Sequence, residues 1–197
     1  EQHYAENSYG LGDNTMVAVT EDTVDTFLQF KNVGGIFKFQ LYGNDVNVQS
    51  ISLMGNNGEK IAGNATITVA YNETPVVAMA DDATTTITLD CGERGVKIGA
   101  SADKATAFCM VVPPVTFEKG ITIIIMDING KSFTQTTDKK IVIERNVVKP
   151  MVAIKADVTY ERVIPEELKD SCLVTNIQVD GADAAKFYEG CFVSSIY

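Results

Sequence analysis

The chain has 197 residues, 45% of them hydrophobic, which is enough for one generous domain or one domain and part of a second. Sixteen Lys and Arg against 26 Asp and Glu leave a net charge of −10, a field that repels phosphate backbones and anionic lipid heads and argues against nucleic acid as a partner. No apolar run approaches the ~20 residues that cross a bilayer. The longest, Ile121–Met126, is strand-sized.

The segment 1–26 reads as an acidic leader. Six acids (Glu1, Glu6, Asp13, Glu21, Asp22, Asp25) and no Lys or Arg precede Lys31, a pattern that predicts a solvated, poorly ordered terminus. The chain starts at Glu1 rather than at Met, as a mature or trimmed protein does, so any targeting signal lies out of view.

From about Phe27 to Ile154 turn signals recur at short intervals and β-branched residues fill the gaps, which predicts an all-β sandwich over 27–155. Over Ile36–Tyr42, Phe37, Phe39 and Leu41 share one face while Lys38 and Gln40 share the other. Val46–Leu53 carries Val46 and Val48, then Ile51 and Leu53, so its phase slips near Gln49–Ser50 as at a bulge. Asn56-Asn57-Gly58 turns into a strand expected over Lys60–Val69, with Ile61, Gly63, Ala65, Ile67 and Val69 on one face. Thr84–Cys91 alternates Ile87, Leu89 and Cys91 inward. Ala107–Val112 is apolar on both faces and reads as a central strand, stopped by Pro113-Pro114 so that the chain can cross to the other sheet. Ile121–Asp127 and Lys131–Thr137 flank Asn129-Gly130, the pair preferred in a two-residue type I′ hairpin. Lys140–Arg145 closes the set.

Past Pro150 the texture changes. Pro165–Leu168 reads as a helix start of about two turns, Cys172–Val179 as a strand, and Asp183–Tyr188 as a short helix ended by Gly190. Cys191–Tyr197 reads as a last strand. Residues 156–197 are too few for an independent core and are expected as a short mixed extension of the sandwich or the start of a second, smaller β domain.

Four cysteines, Cys91, Cys109, Cys172 and Cys191, allow three disulfide connectivities. Closeness in sequence suggests Cys91 with Cys109 and Cys172 with Cys191. The alternative for the first pair, and the preferred one, is two free thiols buried in strands.

Constellations for catalysis are scarce. One histidine, His3, cannot assemble a serine or cysteine triad or a His-rich metal site. No phosphate loop, nucleophile elbow or zinc-protease helix motif occurs. The carboxylate pairs Asp81-Asp82, Asp90 with Glu93, and Asp180 with Asp183 all fall in turn-forming contexts where Asp suits the backbone. The chain therefore reads as no enzyme, with no cofactor and no metal. The sequons at Asn64 and Asn72 are read as chance. Trp, the commonest sugar platform, is absent, although seven Tyr remain.

Read together, the motifs Phe30-Lys-Asn-Val-Gly-Gly-Ile-Phe-Lys-Phe39, Val48–Leu53, Gly58–Gly63, Thr86–Cys91, Val111–Phe117 with Gly120 behind it, and Ile143–Asn146 resemble the N-terminal domain of the fimbrillin-like family of Bacteroides and its relatives, the fimbrial subunits of type V pili. The ordered set covers some two thirds of the chain. The resemblance implies a Greek-key, transthyretin-like sandwich of about seven strands. It also implies an exported lipoprotein carrying a signal peptide, displayed at the outer membrane and anchored by lipid attached upstream rather than by a membrane span. Family members polymerise into fimbriae or act as tip and accessory adhesins; in polymerising ones a protease removes an N-terminal strand and a strand of the next subunit fills the groove. This sequence shows no Arg or Lys before Lys31 for an Arg-directed cleavage, and its C-terminal part is shorter than a second sandwich.

The expected partners are other fimbrial subunits, through a donor-type strand that includes Cys191, Phe192, Val193, Ile196 and Tyr197. The alternative is an anchored protein that binds host ligands or glycans, with Tyr42, Tyr71, Tyr160 and Tyr188 as candidate contact aromatics.

Overall fold

The computed structural model describes residues 1–157. Its strands in chain order are β1 (Gln2–Ala5), β2 (Ser8–Tyr9), β3 (Met16–Val17), β4 (Lys31–Asn32), β5 (Gly35–Tyr42), β6 (Asn47–Gly55), β7 (Ala65–Thr68), β8 (Val76–Met79) and β9 (Thr86–Asp90). They continue with β10 (Val96–Lys97), β11 (Thr106–Val112), β12 (Val115–Phe117), β13 (Ile121–Asp127), β14 (Ser132–Thr137), β15 (Ile141–Ile143), β16 (Val148–Pro150) and β17 (Ile154–Lys155). A 3₁₀ turn at Ala102–Lys104 is the helical element among the described residues.

The fold is all-β. One sheet has the order β14-β13-β6-β9-β1-β2, with β10 also on β6; the other has β11-β5-β16, with β17 also on β5. β5 is the spine of the second sheet because its sequence alternates, burying Phe37, Phe39 and Leu41 to 1% exposure or less while Gln40 faces water. Opposite it, Val48, Ile51 and Leu53 of β6, Ile87 and Leu89 of β9, and Ile121, Ile123 and Ile125 of β13 complete one hydrophobic cluster with Phe108, Met110 and Val112 of β11. Each such side chain removed from water contributes about 1.5–3 kcal/mol.

The phase slip in β6 is a bulge at Gln49: Met126 of β13 pairs with Ser50 and Asp127 with Val48, which leaves Gln49 as the extra residue. Val48 and Ile51 can therefore both reach the core although they are three residues apart. After Val112 the chain does leave the second sheet, and β13 enters the first.

The hairpin lies where Asn129-Gly130 predicts it, but it is not the two-residue type I′ form. Asp127 N–H donates to the Lys131 carbonyl at 2.8 Å and Gly130 N–H to the Asp127 carbonyl at 3.0 Å, so three residues form the loop. Gly130 takes a φ of +73° whereas Asn129 does not enter the left-handed region. That is a turn closed by a bulged glycine. The cause is Asp127. Its carboxylate, 1% exposed, accepts the N–H groups of Asn129 and Lys131, each at 2.8 Å, and the Asn129 amide at 3.2 Å. A buried carboxylate with three donors is satisfied without a counter-ion.

Two further expectations change. Lys60–Val69 is not one strand: Ile61 enters the core, the chain breaks at Gly63 with a φ of +106°, and β7 lifts away to form a separate ribbon with β8. Among the described residues β11 is not a central strand, since it pairs there with β5 on one side only; its wholly apolar sequence reflects β1 and β2 lying against it. Residues 151–155, within the expected bounds of the sandwich, pack on it: β16 and β17 run parallel to β5, and Ile154 is buried, as is Ala156 just past them. The elements expected between Pro165 and Tyr197 lie outside the described residues.

Candidate functional site

The N-terminal segment, expected as a loose leader, instead starts inside the molecule. β1 runs parallel to β9, pairing Gln2 with Leu89 and His3 with Asp90. The Gln2 side chain then reaches the other sheet: its amide Nε2 donates to the Val111 carbonyl at 2.6 Å, and its Oε1 accepts the Val111 N–H at 2.9 Å. An amide side chain here does what a neighbouring peptide unit would do on the free edge of β11. The Tyr4 ring packs 5.2 Å from Phe108, which stacks 5.8 Å from Phe39, so β1 is tied to the core. Asp13 accepts the His3 N–H at 2.9 Å and holds the strand from outside.

β1 thus lies in a seam where both sheets present an edge, β9 on one side and β11 on the other. Among the described residues β1 meets β9 at Leu89 and Asp90, on the side away from β6. A groove of about 320 Å³ continues there, walled by Ile61, Ile67, Val77, Met79, Ile87 and Val111. Glu1, Gln2, Asp13 and Thr15 also line it, so the groove mixes apolar and polar groups. Sequence reasoning missed this seam, because nothing about Gln2 marks it; the signal that was available is the apolar content of the supposed leader, with Tyr4, Tyr9, Phe27 and Phe30 among its acids.

Two thiols stand near the seam. Cys91 and Cys109 are free, in line with the preferred reading of that pair. Burial pushes the Cys91 thiol up to about 12, with the Asp90 carboxylate adding to the shift. Cys109 is also raised by burial, with Lys38 opposing. A thiol whose pKa is raised in the fold contributes stability in full below its unfolded value of 9.0, and that contribution is lost as pH rises towards about 12. Urea unfolding at pH 8 and pH 10 should therefore show wild type losing more stability over this interval than Cys91→Ala; equal losses would contradict the burial of this thiol. Cys172 and Cys191 lie outside the described residues.

Two of the four candidate aromatics are among the described residues. Tyr42 ends β5, half-buried, with its carbonyl accepting the Ala156 N–H at 2.8 Å, whereas Tyr71 sits exposed at the tip of the β7–β8 ribbon. Tyr160 and Tyr188, and the donor-type residues Cys191, Phe192, Val193, Ile196 and Tyr197, lie outside the described residues. At the ribbon tip a chamber of about 250 Å³ opens between the ribbon and the 17–31 segment. Lys31 bridges the two, its Nζ donating to the Glu73 carbonyl at 2.8 Å.

The carboxylate pairs take structural roles. Asp82 accepts the Asn64 amide at 3.1 Å, Asp81 meets Lys60 at 3.7 Å, and Asp90 accepts the Gly92 N–H at 2.9 Å in its turn. Asp180 and Asp183 lie outside the described residues. Among the described residues no three of His, Cys, Asp and Glu gather as a metal site, and no helix is long and apolar enough to cross a membrane.

The chain is, then, an all-β sandwich protein with a seam that its own first strand enters. No family model and no curated protein matches it. Among solved structures it is similar to two proteins provisionally assigned to cell adhesion, one from Bacteroides ovatus at 12% identity and a TM-score of 0.44, the other from Bacteroides fragilis at 10% identity and a TM-score of 0.42. The matches cover 67% and 68% of this chain but 45% and 47% of those chains, so the chain spans about half their length.

Proposed function

We propose that this protein is a non-catalytic, surface-displayed adhesin or fimbrial subunit of the fimbrillin-like kind, and that it couples to a partner subunit by strand addition in the seam. The observation that carries the reading is the seam between β9 and β11, where the edge of β9 takes β1 in parallel beside a groove walled in part by apolar side chains. Main-chain bonds to that edge supply affinity, and alternate side chains of the incoming strand enter the groove. Cys191–Tyr197 is the donor segment, offering Phe192 and Ile196 on one face of an extended chain. The partner is a second copy or another fimbrial subunit, and the protein is carried at the outer membrane by lipid attached upstream of this chain. The motif resemblance set out above supports the family and the location.

Deleting residues 191–197 should abolish concentration-dependent assembly, measured by light scattering on a sizing column, while the circular dichroism and melting of the sandwich stay unchanged. Assembly that survives the deletion, or a full chain that stays monomeric at every concentration, rejects strand addition by this segment.

A further inference from the structure

The chamber at the ribbon tip is independent of the seam. One wall is a tight turn: Glu73 N–H donates to the Ala70 carbonyl at 3.1 Å, which places Tyr71 and Asn72 at the two corner positions. Asn72 adopts a φ of +57°, and the turn is clamped from behind by the Lys31 bond to Glu73. The other wall is also tied down. Asp22 accepts the N–H groups of Val24 and Asp25 at 2.8 and 2.9 Å, and Asp25 accepts that of Phe27 at 2.9 Å. Two exposed aromatic rings border the chamber, Phe27 at 70% exposure and Tyr71 at 41%, while Phe30, exposed too, is not part of its lining.

The polar lining decides the ligand class. Glu21, Asp25 and Glu73 can only accept hydrogen bonds when ionised, Lys31 can only donate, and Gln29 and Asn72 do both. A ligand ion of one sign would meet an unfavourable partner in this mixture, and the acids do not gather tightly enough to ligate a metal. An anionic ligand also faces the chain's net charge of −10. Hydroxyl groups, which donate and accept alike, fit every group present, and the apolar face of a sugar ring fits an exposed aromatic face. At about 250 Å³ the chamber falls below the ~300–1,000 Å³ typical of drug-sized ligands, so it takes a single ring.

We propose that the chamber between the 17–31 segment and the β7–β8 ribbon binds one neutral pyranose residue of a saccharide, in contact with both Tyr71 and Phe27 and held through its hydroxyls by the surrounding acceptors and donors. The inference gives the adhesive reading a ligand class, and it does not depend on strand addition. The fixed turn and the tied loop mean that little ordering is lost on binding.

The full chain is titrated with methyl glycosides of glucose, galactose, mannose and N-acetylglucosamine and with their short oligomers, free in solution and immobilised on a surface; sialyllactose and spermidine serve as anionic and cationic probes. At least one neutral saccharide should bind, and Tyr71→Ala and Phe27→Ala should each weaken it about tenfold, equivalent to ~1.4 kcal/mol, without changing the melting temperature. Tyr71→Phe should keep most of the affinity, and Leu11→Ala, fully exposed elsewhere, should change nothing. Binding only to the immobilised arm identifies a displayed glycan as the source; binding in both arms identifies the sugar itself. No neutral saccharide binding at millimolar concentration, binding that survives both alanine substitutions, or binding of spermidine or sialyllactose alone would overturn the proposal. If that happens while residues 191–197 are still required for assembly, strand addition stands and only the ligand assignment is lost.

Discussion

Phe39→Ala should cost about 3–5 kcal/mol of unfolding free energy. Phe39 is fully buried at the centre of β5, with the Phe37 ring 5.5 Å away on one side and Phe108 at 5.8 Å on the other. Removing it empties the middle of an aromatic column that runs from Tyr4 to Phe37, and close-packed neighbours on two sheets cannot all move in to fill the space. Since domains are typically stable by about 5–15 kcal/mol, the variant should unfold at markedly lower urea, as followed by circular dichroism. Val142→Ala, at an exposed position on β15, should stay within ~0.5 kcal/mol of wild type. Similar losses at the two positions would contradict the core assignment.

Gly120→Ala should cost at least about 2 kcal/mol, through backbone rather than packing. Gly120 has a φ of +74°, and a Cβ there would run into the carbonyl oxygen of Thr137. That oxygen also accepts the Asn56 amide at 2.9 Å, and the Gly120 carbonyl accepts the Asn56 N–H at 3.1 Å, so the turn into β13 has no freedom to yield. Gly58→Ala is the informative companion. Its φ is +75°, but no atom lies within 4 Å of the added carbon, so it should show only the conformational cost of ~1–2 kcal/mol. Melting temperatures of the pair separate the two terms; an equal loss would mean that the Thr137 approach carries no energy.

Alternation in the sequence makes the centre of the fold legible. Phe37, Phe39 and Leu41 announce their buried face, and the slip at Gln49 announces a bulge, because both are local signals with a period of two. The hairpin is legible in position but not in type, since a buried carboxylate, Asp127, draws in two backbone N–H groups and lengthens the loop. β11 misleads for a different reason: burial on both faces says nothing about whether the cover is a strand neighbour or a terminal segment. The acids of residues 1–26 hide Gln2 and Tyr4, whose partners lie far along the chain. The ribbon-tip chamber is half legible. Tyr71 stands out as an aromatic in a turn, but Phe27 opposite it can be recognised only once the 17–31 segment is known to fold back.

The bonds between Gln2 and Val111 also govern when the molecule can finish folding. Gln2 waits for a partner 109 positions later, which at ~5–20 residues per second is a delay of roughly 5–20 s. The parallel flank of β5 waits longer still, for residues 148–155. Long-range pairing of this kind folds slowly. The seam and the parallel flank of β5 therefore close late in synthesis, after the hairpin of β13 and β14 can already have formed.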